Sequence, residues 1–282
     1  MSTSLPPAWQ GLVDDAAVFP PGNTPLPEAV SAYTTRRQEW YADLVGSFVV
    51  TDVAVPDVGE ALPLSVIVTG GAGAVAGALR LVARSPSSVA GLEIALRDPD
   101  DLAGNARRVV AAVDAARAEV LLDDGTPVYV ELPHAGSTAG WLAAADVVAE
   151  AELRLKFRTG GPDAHSFPAA HALASWIDAA LDRETPFKCT AGLHNAVRHT
   201  GDDGFEHHGF LNVLLATRQA FDGAARDAVV ETLERRDGDA LAADARTVDL
   251  TGARRWFTSF GSCSVTEPLD DLLALGLVED HS

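Results

Sequence analysis

The chain has 282 residues, 47% of them hydrophobic, and a formal net charge of −19. That balance argues against a nucleic-acid partner, because neutralising phosphates takes clustered Lys and Arg, and no run of about 18 apolar residues is present to span a membrane. Cys189 and Cys263 are too few for a disulfide framework, and the amino terminus lacks the basic start and apolar stretch of a secretory signal, so a cytoplasmic protein is expected.

In chain order, β-like runs fall at residues 14–19, 46–51, 64–69, 90–96, 127–132, 153–158, 186–190 and 256–262. Between and after them lie Ala-rich helical stretches at 28–41, 74–84, 106–118, 139–151, 168–182, 211–221, 225–235 and 269–275. Eight strands with crossover helices predict a closed parallel (β/α)8 TIM barrel, a single domain over 1–282. The rival is an open doubly wound sheet, but no Gly-x-Gly-x-x-Gly follows the first strand. Gly70-Gly71-Ala72-Gly73 reads instead as a tight turn into a helix. One connection breaks the rhythm: after the seventh strand, an insertion at about 193–255 carries His194, His199, His207 and His208 and then two predicted helices. Connections of this length tend to be lids or binding loops, and a homo-oligomer contact is the other candidate role.

The chain contains two lysines, and both end strand-like runs in similar settings: Leu155-Lys156-Phe157-Arg158-Thr159-Gly160-Gly161 and Phe187-Lys188-Cys189-Thr190-Ala191-Gly192-Leu193. Alternation puts Leu155, Phe157, Phe187 and Cys189 towards the helices, and Lys156, Arg158, Lys188 and Thr190 inside the barrel. By the same rule Glu93 and Glu131 face inward, flanked by apolar neighbours that face out. Two amines and two carboxylates thus converge, either as a structural ion-pair network or as chemistry. Two ammonium groups on adjacent strands repel, and repulsion with burial favours a neutral amine near pH 7. Such an amine attacks carbonyls, and a nearby carboxylate can relay the protons. Arg158 either binds an anion through its forked donors or pairs with Glu93 or Glu131. Gly192, Gly261, Ser262 and Ser264 lie where barrels often hold phosphate on backbone N–H groups, or they form ordinary turns with Ser264 or Thr266 capping the last helix.

These motifs resemble the deoxyribose-phosphate aldolase family of class I, Schiff-base aldolases. Lys156-Phe157-Arg158-Thr159-Gly160 is similar to its Lys-x-x-Thr-Gly motif, and Lys188-Cys189-Thr190-Ala191-Gly192 to its Lys-x-x-x-Gly motif. Phe260-Gly261-Ser262-Cys263-Ser264 is similar to its Phe-Gly-x-Ser-Ser phosphate loop, and Val13-Asp14 has a counterpart in its first strand. The resemblance implies a carbon–carbon lyase acting on a small carbonyl substrate, phosphorylated or carboxylated, with no organic cofactor. It makes Lys156 the nucleophile, Lys188 the cation that tunes it and Glu93 the proton relay. Glu131, Asp14, Arg158, Thr190, Gly160, Gly192, Gly261, Ser262 and Ser264 surround the substrate. The sequence departs from the family in having Glu for Asp at the relay, Arg158 for a small polar residue, Cys263 for Ser and a longer seventh connection.

Two other readings stay open. His194 and His199, with His207 or His208 and Glu206, could hold a divalent metal for a lyase or hydrolase. A non-catalytic barrel that binds a small anion would keep Arg158 and the glycine turns without a neutral lysine. His134, at a strand end, is a lesser candidate for substrate contact, and Cys263 is a weak nucleophile candidate.

Overall fold

The computed structural model describes residues 5–281. Its first strand is Val13–Asp15 (β1), shorter than the expected 14–19. The chain turns after Asp15: the Asp15 carboxylate accepts from Ala17 N at 3.1 Å, and Phe19 N donates to Ala16 O at 2.9 Å. Pro20 and Pro21, which have no N–H for a ladder, follow. Then come α1 (Leu26–Arg36), β2 (Val45–Thr51), β3 (Pro63–Ile67), α2 (Val75–Ala83), β4 (Ser88–Ala95), α3 (Leu102–Ala118), β5 (Val128–Glu131), α4 (Ala139–Glu150), β6 (Arg154–Arg158), α5 (Ala170–Leu181) and β7 (Phe187–Thr190). The long connection forms a hairpin, β8 (His199–Thr200) with β9 (Glu206–His207), and four helices, α6 (Phe210–Phe221), α7 (Arg226–Glu234), α8 (Gly238–Thr247) and α9 (Leu250–Arg254). Strand β10 (Phe257–Ser262) and helix α10 (Thr266–Ala274) complete the chain.

The strands close as β1-β10-β7-β6-β5-β4-β3-β2, every pair parallel. This is the (β/α)8 barrel, with β10 as its eighth strand. Boundaries differ from expectation where side-chain caps decide them. Asp101 accepts from Gly104 N at 2.8 Å and starts α3 at residue 102 rather than 106. Two helices in the insertion, α8 and α9, escaped prediction. Each is capped by an aspartate, Asp237 on Ala240 N and Asp249 on Gly252 N, both at 3.0 Å.

An aromatic seam sets which way the lysine strands face. Phe157 packs on Trp141 at 6.2 Å between ring centroids, on Trp176 at 5.7 Å and on Phe187 at 5.1 Å. The seam continues through Phe187 to Phe257 at 5.5 Å, while Phe260 stacks on Phe210 of α6 at 5.1 Å. With Phe157, Phe187 and Phe260 committed to the helix layer, strand alternation leaves Lys156 and Lys188 no direction but inward. The register then aligns Glu131 with Lys156 and Lys156 with Lys188.

The barrel is plugged at its amino-terminal end. Tyr129 Oη meets Thr258 Oγ1 at 2.9 Å and accepts from Arg154 Nη1 at 3.1 Å, and Arg254 donates to the carbonyls of Ala8 and Gly11. At the other end, Thr51, Ile67, Glu131, Arg158 and Thr190 are partly exposed although their strand neighbours are buried. The barrel therefore opens at the carboxyl ends of its strands, the end where barrel active sites lie.

Candidate active site

Six charged side chains form an unbroken series of contacts inside the barrel, an open ring running from Asp14 to Arg158. Lys188 Nζ donates to Asp14 Oδ2 at 2.6 Å and to Glu93 Oε1 at 2.7 Å. The other oxygen of Glu93 receives Lys156 Nζ at 2.6 Å, and Lys156 also lies 2.9 Å from Glu131 Oε2. Glu131 Oε1 in turn accepts from Arg158 Nε at 2.8 Å. The inward direction read from alternation is thus observed for Glu93, Glu131, Lys156, Lys188 and Arg158. Asp14 belongs to the same set.

The expected repulsion between the lysines is offset. Glu93 bridges them, and three carboxylates match three cations, so the ring is neutral. Burial alone would raise the pKa of Glu93, but the ammonium groups of Lys156 and Lys188 outweigh it and hold the carboxyl down to about 2. Burial likewise works against the charged form of Lys188, and Asp14 and Glu93 reverse that, raising its pKa above the ordinary lysine value. Asp14 and Glu93 thus favour the ammonium form of Lys188. Glu131 is lowered too, burial again being overcome by Lys156 and Arg158.

The two lysines are not equivalent. Lys188 has the Tyr129 ring 5.1 Å from its Nζ, on the plugged side, and its partner Asp14 is held by Ser47 Oγ at 2.6 Å, Ser47 N at 3.0 Å and Ser259 Oγ at 2.7 Å. Lys156 is tied through Glu131 to Arg158, whose side chain is 41% exposed at the mouth. Arg158 and Glu131 are the partly exposed members of the set at the mouth, whereas Lys156 and Lys188 are both buried behind them. Ser47, Tyr129 and Ser259 escaped the sequence reading. The signal was there: Ser47 and Tyr129 are polar groups at inward positions of otherwise apolar strands.

The turns after β6 and β7 are built against each other. A Cβ added to Gly160 would come within 2.8 Å of Gly192 Cα, and one added to Gly192, which has φ +78°, within 2.7 Å of Thr159 O. Thr159 Oγ1 donates to Ala191 O at 2.5 Å across the same contact. Both glycines are thus accounted for by close backbone approach. Gly261 differs: an added Cβ would meet Thr190 Oγ1 at 3.6 Å and Ala16 Cβ at 3.9 Å, ordinary contact distances, so close backbone approach does not require glycine there. In the loop after β10 the hydroxyls are engaged locally. Ser262 Oγ donates to Ser264 O at 2.6 Å, and Ser264 Oγ accepts from Glu267 N at 3.2 Å, although the N-cap position of α10 is Val265 rather than Ser264 or Thr266.

The insertion histidines point to separate partners. His194 Nδ1 meets Glu267 at 2.8 Å and lies 3.3 Å from Ser262 Oγ, with Cys263 Sγ 3.8 Å from its Nε2. Burial pushes the Cys263 thiol up, which keeps it protonated. His207 pairs with Asp203 at 3.0 Å and stacks on His199 at 5.2 Å. His208 is fully buried on Pro168 O and Arg198. His134 meets the Trp176 ring edge-on at 5.2 Å. Among the described residues no three His, Cys, Asp or Glu side chains are gathered to hold a metal ion, so the expected histidine constellation does not form. No helix among them is long and apolar enough to cross a membrane. No protein-family model and no curated protein sequence matches the chain.

Proposed function

We propose that this barrel is a Schiff-base-forming carbon–carbon lyase of the aldolase type, acting on a small carbonyl substrate. The observation that carries the reading is the pair of register-matched lysines sharing the Glu93 carboxylate inside a barrel open at its carboxyl end. Structural ion pairs of this size carry a heavy desolvation cost and are often replaceable by apolar packing, so a ring of six charges argues for work. Lys156, the lysine linked through Glu131 to the partly exposed Arg158, is the nucleophile. Its ammonium proton passes to Glu131 or Glu93, and the neutral amine adds to the carbonyl carbon to give a carbinolamine. Loss of water, with a proton returned by the carboxyl group, leaves an iminium ion. A carboxylate of the site then takes the proton of the substrate's β-hydroxyl group, and the carbon–carbon bond breaks with its electron pair moving into the iminium while the hydroxyl-bearing carbon departs as a carbonyl product. The resulting enamine is protonated by that carboxyl group and hydrolysed to release the second product and the free amine. Lys188 remains an ammonium throughout. It keeps Glu93 ionised and adds positive potential beside Lys156.

Borohydride reduction in the presence of aldehydes, keto acids and sugar phosphates tests the assignment. Besides the amino terminus, Lys156 and Lys188 are the amines available, so intact mass and peptide mapping resolve the site. A single adduct on Lys156, absent from Lys156→Arg, is expected. Adducts confined to the amino terminus or to Lys188, or none at all, would overturn the reading.

A further inference from the structure

We infer that the substrate carbonyl belongs to a short 2-keto acid whose carboxylate sits on Arg158. The inference rests on Lys156 being the Schiff-base amine, and its geometry is independent of the family resemblance, which leaves open whether the substrate is phosphorylated or carboxylated.

Three observations place the anion beside the reacting carbon. First, Arg158 follows Lys156 by two residues on the same inward face, a separation of about 6.6 Å between Cα atoms. Glu131 spans the gap between their nitrogens with one oxygen on each. The amine and the guanidinium are therefore a single carboxylate apart. In a 2-keto acid the carboxylate carbon is bonded directly to the carbonyl carbon, which fits that interval. In a phosphorylated aldehyde several bonds intervene, and the anion would overshoot Arg158.

Second, Arg158 is the cation in the ring with donors to spare. Lys188 is enclosed by Asp14, Glu93 and Tyr129, and Lys156 by two carboxylates. Arg158 bonds Glu131 through Nε, and its two terminal amino groups have no protein partner among the described residues. A fork of this kind suits a carboxylate. Thr190, its register partner on β7, offers a neighbouring hydroxyl.

Third, the alternative anion seat is taken. At the start of α10, Ser262 and Ser264 are bonded within their own loop, and Glu267 in the first turn holds His194. The acid side chain already answers the positive end of that helix. The charge count points the same way. The ring is neutral before substrate arrives, so a monocarboxylate adds one negative charge where a phosphate would add nearly two, and uncompensated buried charge is costly.

Parallel borohydride trapping with pyruvate, 2-oxobutanoate, acetaldehyde and glyceraldehyde 3-phosphate decides the matter, using the full chain and an Arg158→Gln variant checked for folding by circular dichroism. Lys156 is expected to be labelled fastest by the keto acids, and the pyruvate-to-acetaldehyde preference is expected to fall roughly 10- to 100-fold in the variant. Labelling of Lys156 by either aldehyde as fast as by pyruvate overturns the 2-keto acid and leaves the Schiff-base reading standing. A pyruvate preference unchanged in Arg158→Gln overturns the Arg158 seat. Failure of every carbonyl to label Lys156 overturns the Schiff-base reading itself, and this inference with it.

Discussion

Glu93 is the residue on which the ring depends, because each of its oxygens holds a different lysine. Exchange for glutamine keeps the shape and removes the charge, leaving three cations facing two carboxylates. Removing one partner of a buried ion pair costs about 3–5 kcal/mol, so Glu93→Gln is expected to lower the urea midpoint by a corresponding amount. The same change takes away one of the two carboxylates that hold the Lys156 ammonium. Borohydride trapping on Lys156 and turnover should both slow at a fixed pH, because Glu93 is the carboxylate closest to Lys156 and the one shared by both amines. An unchanged trapping rate would mean that Glu93 takes no proton from Lys156 and would remove it from the mechanism.

At the scale of elements, β6 and β7 work as one unit: an aromatic seam outside, two lysines inside and interlocked turns at the top. Gly192→Ala attacks the turns without touching a charge. The position has φ +78°, and a methyl group would lie 2.7 Å from Thr159 O and 3.0 Å from Gly160 Cα, backbone atoms that cannot rotate away. Strain of about 1–3 kcal/mol from the backbone conformation is expected, with a steric cost added. Thermal denaturation should report it, and a wild-type melting temperature would show that the turns can separate freely. The strands and the inward set were legible in the sequence because both depend on period-two alternation: Lys156 and Lys188 each lie between apolar residues, as does Glu93. The pairing within the ring was not legible. Nothing in the order of residues says that Glu93 bridges two amines, or that Ser47 and Ser259 steady Asp14, because those contacts join strands far apart in the chain. Adjacent lysines read alone suggest repulsion, and only the closed barrel brings in the third carboxylate. The histidines misled for the complementary reason. Closeness in sequence suggested a shared metal, whereas the hairpin and α6 send them to Asp203, Pro168 and Glu267 in different directions.

For the whole molecule, two opposing trends govern behaviour in acid. Protonating exposed carboxylates brings the net charge of −19 towards zero and relieves self-repulsion. Two buried groups act the other way. His208 is held neutral, its pKa lowered to about 4 by burial and then by the Arg198 guanidinium. The geometry fixes that state: Nε2 faces the Pro168 carbonyl at 2.8 Å and Nδ1 faces Arg198 Nη1 at 3.2 Å, so a second ring proton would point at a cation. Because the folded value lies below the unfolded one of 6.5, the unfolded chain binds more protons between pH 6.5 and 4. Stability from His208 is complete above pH 6.5 and is lost as the pH falls through 4, a contribution of about 3 kcal/mol. Glu93 repeats the pattern lower down: its stabilisation is complete above 4.5 and is lost as the pH falls through about 2. Lys188 lies at the other extreme, since a raised lysine value stabilises the fold below its unfolded pKa of 10.5 and is lost on the alkaline side. Urea midpoints measured from pH 8 to pH 3 on the wild type and on His208→Gln separate the terms. The variant is expected to start less stable at pH 8 and to show a flatter decline between pH 6.5 and 4, the repulsion relief being common to both proteins. Parallel curves over that interval would mean that His208 titrates as an exposed histidine does, and that the packing of the insertion against Pro168 opens in acid before the barrel does.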